Sequence, residues 1–207
     1  MSGCAVIFDC EFLTAPGAPQ RFWCGPNDPD PVAAQIGAVK LALTRQAEIL
    51  DTFERIVLPP ERSGAMSAIH PFFTKLTGLE GDRIAREGVP LADALEGFDR
   101  FADGAPFWSW GKDEFNLLAI SCYVAGITPP IPVTRFGNAT RLFASAGFDQ
   151  DTIHGLRSPG LPAFLGLETE ELQAHDALGD ARAVALSLQH LIREGRLDPV
   201  HLDQPLP

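Results

Sequence analysis

A compact apolar run, interrupted only by two acids, marks a buried strand near the start of the chain. Residues 5–13 read AVIFDCEFL and are rich in strand-forming residues. A period of two places Asp9 and Glu11 on one face of the strand, and Phe8 and Cys10 on the other. Because the segment is apolar on both faces, we predict that it lies in the middle of a sheet covered on both sides.

The same patterns predict the remaining elements. Strands are predicted over 34–43, 52–58 and 107–110, and a Pro- and Gly-rich loop over 14–31. Helical spacing of apolar residues predicts helices over 91–102, 113–125, 138–146 and 180–194. The tail 197–207 is predicted to be irregular. Strands followed by mixed strands and helices predict one α/β domain over 1–207, with its core in 5–195.

Composition and charge narrow the function. The chain has 207 residues, 45% of them hydrophobic and 21% charged, as in ordinary globular proteins. No apolar run suits a membrane span or a signal peptide, so we expect a cytoplasmic protein, with its four cysteines reduced. The formal net charge of −11 opposes broad binding of duplexes by phosphate neutralisation. Contacts with nucleic acid are therefore expected to be local, short or metal-mediated.

Candidate chemistry begins with the carboxylate pair on the first strand. Asp9 and Glu11 on one strand face repel each other, and burial of either alone is costly. A divalent cation would resolve both problems, since hard oxygen ligands suit Mg²⁺ or Mn²⁺. A strand end that meets water would resolve them equally well.

Two further segments carry titratable groups. His175 and Asp180 are five residues apart, so they meet only if His175 lies on the loop before the last helix. Alternatively, both are ordinary residues at a helix start. Asp113 and Glu114 open a middle helix, where acids are common because they complement the helix dipole.

Together these segments resemble the DEDDh 3′→5′ exonucleases, the proofreading-exonuclease-like and ribonuclease T-like branch of the ribonuclease H-like fold. The order is DxE on a first strand, an acid opening a middle helix, and HxxxxD before a last helix. Further similarity lies in Gln35-Ile-Gly-Ala-Val39, in Thr74-Lys-Leu-Thr-Gly78 and in the segment from His175 to Ala181.

The resemblance implies a fold and an activity. The fold would be a single-domain α/β ribonuclease H-like fold, with a mixed central sheet flanked by helices. The activity would be hydrolysis of single-stranded nucleic acid from 3′ ends to mononucleotides, using two Mg²⁺ or Mn²⁺ ions. The pair Trp110-Gly111 resembles the branch that trims RNA, so RNA is slightly favoured over DNA. A homodimer is one arrangement that the sequence leaves open.

The resemblance also assigns roles to residues. The ions would be held by Asp9, Glu11 and Asp180 with help from the middle acid, and His175 would act as general base. For the middle acid, side-chain type favours Asp113, whereas the gapless register after Trp110-Gly111 favours Glu114. We take Asp113 as the prediction and Glu114 as its alternative.

The opening motif departs from the family in lacking its glycine, so the 3′-terminal sugar would be held differently. We expect Phe12 and Leu13, directly after the acids, to contact the substrate. Phe22 and Trp23 on the following loop would either stack on a base or close the loop onto the core.

Two rival functions also fit parts of the sequence. The first strand also resembles that of haloacid-dehalogenase-like phosphatases, but its second acid is Glu11, and Gly179-Asp180 lacks the later acid of that family. A nuclease fold that binds without cutting is the other rival. All the expected acids are present, so nothing in the sequence favours lost activity.

Overall fold

A computed structural model describes residues 3–168 and 175–205. Five strands form one mixed sheet in the order β3-β2-β1-β4-β5. Their bounds are β1 Cys4–Phe12, β2 Ala33–Ala42, β3 Ile49–Ile56, β4 Phe107–Ser109 and β5 Phe136–Asn138. The strands β1, β2 and β3 are antiparallel, whereas β4 and β5 run parallel to β1.

Helices cover both faces of this sheet. Their bounds are α1 Pro71–Thr77, α2 Gly81–Glu87, α3 Leu91–Ala102, α4 Asp113–Ala125, α5 Ala139–Ser145, α6 Gln150–Gly155, α7 Leu161–Phe164 and α8 Ala177–Arg193. On one face, α8 and α5 pack on Ile7 and Val39; on the other, α3 and α4 pack on Phe8 and Ile36. The predicted α/β architecture, with β1 covered on both sides, is confirmed.

The helices α3 and α4 have the predicted bounds, and α8 begins three residues before the predicted 180. Part of the predicted irregular tail is ordered, because Pro199–Leu202 form a 3-10 helix. Its Leu202 is fully buried and its carbonyl accepts a hydrogen bond of 3.0 Å from Trp108 Nε1. None of the described helices is both long and apolar enough to cross a membrane.

Candidate active site

The strand β1 presents two buried acids at its carboxyl end. Asp9 and Glu11 are only 8% and 7% exposed, and they point towards α8, on the face opposite Phe8 and Cys10. A bulge follows at once, because the register with β2 shifts between Glu11 and Phe12. Bulges bend a strand and end its regular pairing, and they are frequent beside active sites.

The start of α8 brings the third acid to this pair. Asp176 caps the helix by accepting a hydrogen bond of 3.0 Å from the Gly179 amide. Asp180, in the first turn, is 5% exposed and accepts a bond of 3.3 Å from the His175 amide. His175 lies in the turn before the helix, with a left-handed φ of 61°. Such backbone strain in a residue other than glycine clusters at functional sites.

Gln35 ties β2 to the start of α8. Its buried side chain donates 3.0 Å to Asp176 Oδ1 and 2.9 Å to Glu54 Oε1, while its carbonyl accepts 3.2 Å from the Ala177 amide. The sequence pattern placed Gln35 only in a strand motif and gave no sign of this role. The bonds fix the segment that carries His175.

Gly37 permits the close approach of α8 to the sheet. It pairs with Asp9 across β1 and β2. A Cβ atom at this position would lie 2.1 Å from the Leu178 nitrogen and 2.3 Å from the Ala177 carbonyl carbon. Since both atoms belong to the backbone, no side chain fits without moving the helix.

Of the two candidates for the middle acid, Glu114 lies beside the acids of β1. Its carboxyl is hydrogen-bonded to that of Asp9, and the Ser109 hydroxyl is another neighbour. Its Oε2 atom is enclosed and has no hydrogen-bond partner among the described residues. Asp113 is exposed and lines a neighbouring groove instead. α4 therefore turns its second residue, Glu114, towards β1 and leaves its first, Asp113, exposed; the choice between them stays a prediction.

Burial and mutual repulsion raise the pKa values of these acids. Burial is the main cause of a pKa well above the ordinary value for Asp9, and the charges of Glu114, Glu11 and Asp180 add to it. Burial, and then the charges of Asp180 and Asp176, raise the pKa of Glu11 to about 8. Burial also raises the pKa of Glu114 to about 7 and that of Asp180 to about 6. Such a cluster is unfavourable without a cation.

The donor set suits a hard divalent cation. Glu11, His175 and Asp180 each offer one ligand atom, and these atoms lie within 4.8 Å of one another. The Oε2 atom of Glu114, which has no hydrogen-bond partner among the described residues, is a further possible ligand. The same carboxyl group is hydrogen-bonded to Asp9. Carboxylate oxygens are the preferred protein ligands of Mg²⁺ and Mn²⁺.

The residues predicted to contact the substrate differ from one another in how accessible their side chains are. Leu13 is 1% exposed and packs in the core with Phe73, so its side chain is not open to a ligand. Phe12 is partly buried against the face opposite the acids. Trp23 closes the loop by donating 3.0 Å to the Leu13 carbonyl, whereas Phe22 is 83% exposed.

Comparison with solved structures shows that the fold is that of DEDDh 3′-exonucleases. The nuclease domain of 3′hExo, a DEDDh family member bound to rAMP, aligns with a TM-score of 0.72 at 18% identity over 94% of each chain. Cell-death related nuclease 4 aligns with a TM-score of 0.70 at 18% identity, over 93% of this chain and 64% of that chain. The zinc-bound complex of E. coli exonuclease I with single-stranded DNA has a TM-score of 0.61 at 15% identity, over 91% of this chain and 40% of that one. No family model and no curated protein matches the sequence significantly.

Proposed function

We propose that the protein is a divalent-metal-dependent 3′→5′ exonuclease acting on single-stranded nucleic acid. One observation carries the proposal: β1, α4 and α8 bring four carboxyl groups and His175 together at one edge of this fold. Solved structures with the same fold are 3′-exonucleases, among them one bound to rAMP and one bound to single-stranded DNA.

In the proposed mechanism, Asp9, Glu11, Glu114 and Asp180 would hold two Mg²⁺ or Mn²⁺ ions. When bound, the ions would supply the Lewis acidity that activates water and stabilises the leaving 3′ oxygen. His175, exposed beside Glu11 and Asp180, accepts the proton of the attacking water on an imidazole nitrogen. Its position before α8 leaves the ring free to meet the substrate. Glu114 replaces Asp113 as the proposed middle acid.

We further propose a preference for RNA over DNA. Trp110-Gly111 resembles the RNA-trimming branch, and a 3′-exonuclease that recognises the 3′ end of a histone mRNA stem-loop aligns with a TM-score of 0.74 at 18% identity. The DNA-bound exonuclease I aligns less closely, with a TM-score of 0.61.

A degradation assay tests this function. Decamers of RNA and DNA labelled at the 5′ end are incubated with Mg²⁺, with Mn²⁺ and with chelator. The expected result is a ladder shortened one nucleotide at a time from the 3′ end, with RNA faster and with no products in chelator. Asp180→Asn should abolish the ladder, whereas Asp203→Asn, in the carboxyl-terminal tail, should preserve it. Internal cuts, or activity in chelator, would refute the proposal.

A further inference from the structure

A groove of about 660 Å³ opens beside the acid cluster. We call it the upstream groove; its lining includes Trp110, Asp113, Asn138, Arg141, His154 and Arg157. Its volume lies in the range of ligand-binding clefts. The proposed hydrolysis does not use it.

The sheet topology places this groove next to the acid cluster. Because β1, β4 and β5 are parallel, their carboxyl ends meet at one edge of the sheet. Glu11 lies near the end of β1, and Asn138 ends β5. Asp113 in the groove directly precedes Glu114 in the cluster. Ligands in open α/β sheets bind outside the carboxyl ends of strands, so a chain whose end lies at Glu114 can continue into the groove.

The charge of the groove is opposite to that of the whole protein. The chain carries a formal net charge of −11, yet among the residues that the structure describes the groove lining contains Arg141 and Arg157 against one acid, Asp113. Arg157 donates through Nη1 to the carbonyls of His154, at 3.3 Å, and Leu156, at 2.9 Å. These neutral acceptors orient the guanidinium and leave its charge in place.

The walls of the groove are held by contacts within the protein. The Trp110 indole lies edge-on to Phe143, with ring centroids 4.9 Å apart, and donates 3.4 Å to the Leu156 carbonyl. Asn138 Oδ1 accepts hydrogen bonds from the Gly111 amide, at 3.2 Å, and from the Thr140 amide, at 2.9 Å. A fixed indole beside guanidinium groups suits a chain that alternates bases with phosphates.

A second cavity of about 460 Å³ adjoins the first. Both cavities are lined by Gly111, Asn138 and Arg141. Phe115 and Phe136 add aromatic side chains to the second cavity, and Lys112 adds a positive charge. The two cavities together offer a larger binding surface than the upstream groove alone.

We propose that the upstream groove binds the phosphodiester backbone of single-stranded nucleic acid on the 5′ side of the bond that is cut. Arg157 and Arg141 contact its phosphates. The inference rests on the proposed function, since it takes the 3′ end to lie at the acid cluster. It adds a determinant of substrate length, because only substrates of several nucleotides reach the arginines.

The test compares a long substrate with a minimal one in Arg157→Ala, Arg141→Ala and the double variant. The long substrates are 5′-labelled decamers of RNA and DNA, and the minimal one is the p-nitrophenyl ester of thymidine 5′-monophosphate. We expect kcat/KM for the decamer to fall about tenfold per arginine, the effect of one charged hydrogen bond. The value for the ester should not change. The slope of log kcat/KM against log salt should become shallower by about 0.7 per lost contact.

Arg100→Ala is the matched control, because Arg100 lies on α3 across the sheet and the substitution removes the same charge. Decamer binding by fluorescence anisotropy in Ca²⁺ repeats the comparison without turnover, and thermal unfolding confirms that each variant is folded. Equal losses on both substrates, no loss on the decamer, or the same loss in Arg100→Ala would overturn the groove assignment. A wild-type protein that cleaves neither substrate would instead refute the proposed function.

Discussion

Replacing Glu11 with glutamine should stabilise the protein in the absence of metal. Glu11 is 7% exposed, and burial together with the charges of Asp180 and Asp176 raises its pKa from an ordinary 4.5 to about 8. A glutamine has nearly the same shape and carries no charge, so it avoids both the desolvation and the repulsion. The substitution should therefore increase the stability of the metal-free protein and impair the proposed activity.

The sign and the magnitude follow from proton linkage. Between pH 4.5 and about 8, the folded protein holds a proton at Glu11 that the unfolded chain has released. The protein is most stable below the unfolded pKa of 4.5. This stability is lost progressively as the pH rises to and through the folded pKa of about 8. At about 1.4 kcal/mol per pKa unit, the whole shift corresponds to a loss of about 5 kcal/mol at most. The neighbouring acids share part of this repulsion, so we expect Glu11→Gln to recover about 2–3 kcal/mol at pH 8.5.

Thermal unfolding in chelator, followed by circular dichroism from pH 5 to 8.5, measures this effect. For a chain of this size, the melting temperature of Glu11→Gln should exceed that of the wild type by about 5–10 °C at pH 8.5. The difference should nearly vanish at pH 5. Glu61→Gln, at an exposed position, should match the wild type throughout. A Glu11→Gln variant less stable than the wild type at pH 8.5, or a difference independent of pH, would refute the reasoning.

Three further predictions concern the geometry of the site. Glu114→Gln should lower kcat on a 5′-labelled decamer about 100-fold, whereas Asp113→Asn should lower it less than about threefold; the reverse order would restore Asp113 as the middle acid. Gly37→Ala should destabilise the protein by about 3 kcal/mol in urea unfolding and lower kcat at least about tenfold, because its Cβ would lie 2.1 Å from the Leu178 nitrogen; a variant with normal stability and turnover would contradict this close approach. Gln35→Leu, which removes three hydrogen bonds, should lower the free energy of unfolding by about 2 kcal/mol in the same assay; an unchanged midpoint would show that these bonds contribute nothing to stability.

The fold could be predicted where periodicity extends over many residues. β1 and α3 were recognised because nine and twelve residues give a clear pattern. α1, α2, α6 and α7 have at most seven residues and few apolar positions to mark a helical period, although α5, which is equally short, is predicted from its sequence. The sequence pattern predicts the start of α8 three residues too late. The reason is that its apolar stripe begins at Ala181, whereas the residue that caps the helix is the polar Asp176.

The choice between Asp113 and Glu114 shows where sequence reasoning stops. Both residues lie in the first turn of α4, so propensity and dipole arguments treat them alike. What separates them is how the helix faces β1, which depends on tertiary packing. Besides the gapless register after Trp110-Gly111, a second signal favours Glu114: it is three and four residues before Leu117 and Leu118, which are buried, so it shares their face.

The acidic charge of the chain is compatible with binding a polyanion if its charges are unevenly placed. The acids of the site are buried and repel one another, so the proposed ions would be bound where repulsion is strongest and would cancel the negative charge of the site. Next to it, Arg157 and Arg141 give the upstream groove a positive charge. A single strand that ends at the acids then meets no net negative charge there and meets positive charge in the groove, while the remaining acidic surface disfavours a duplex, which would need a broad basic face. Selectivity for single strands would thus follow from where the positive charge lies, although the total charge is negative.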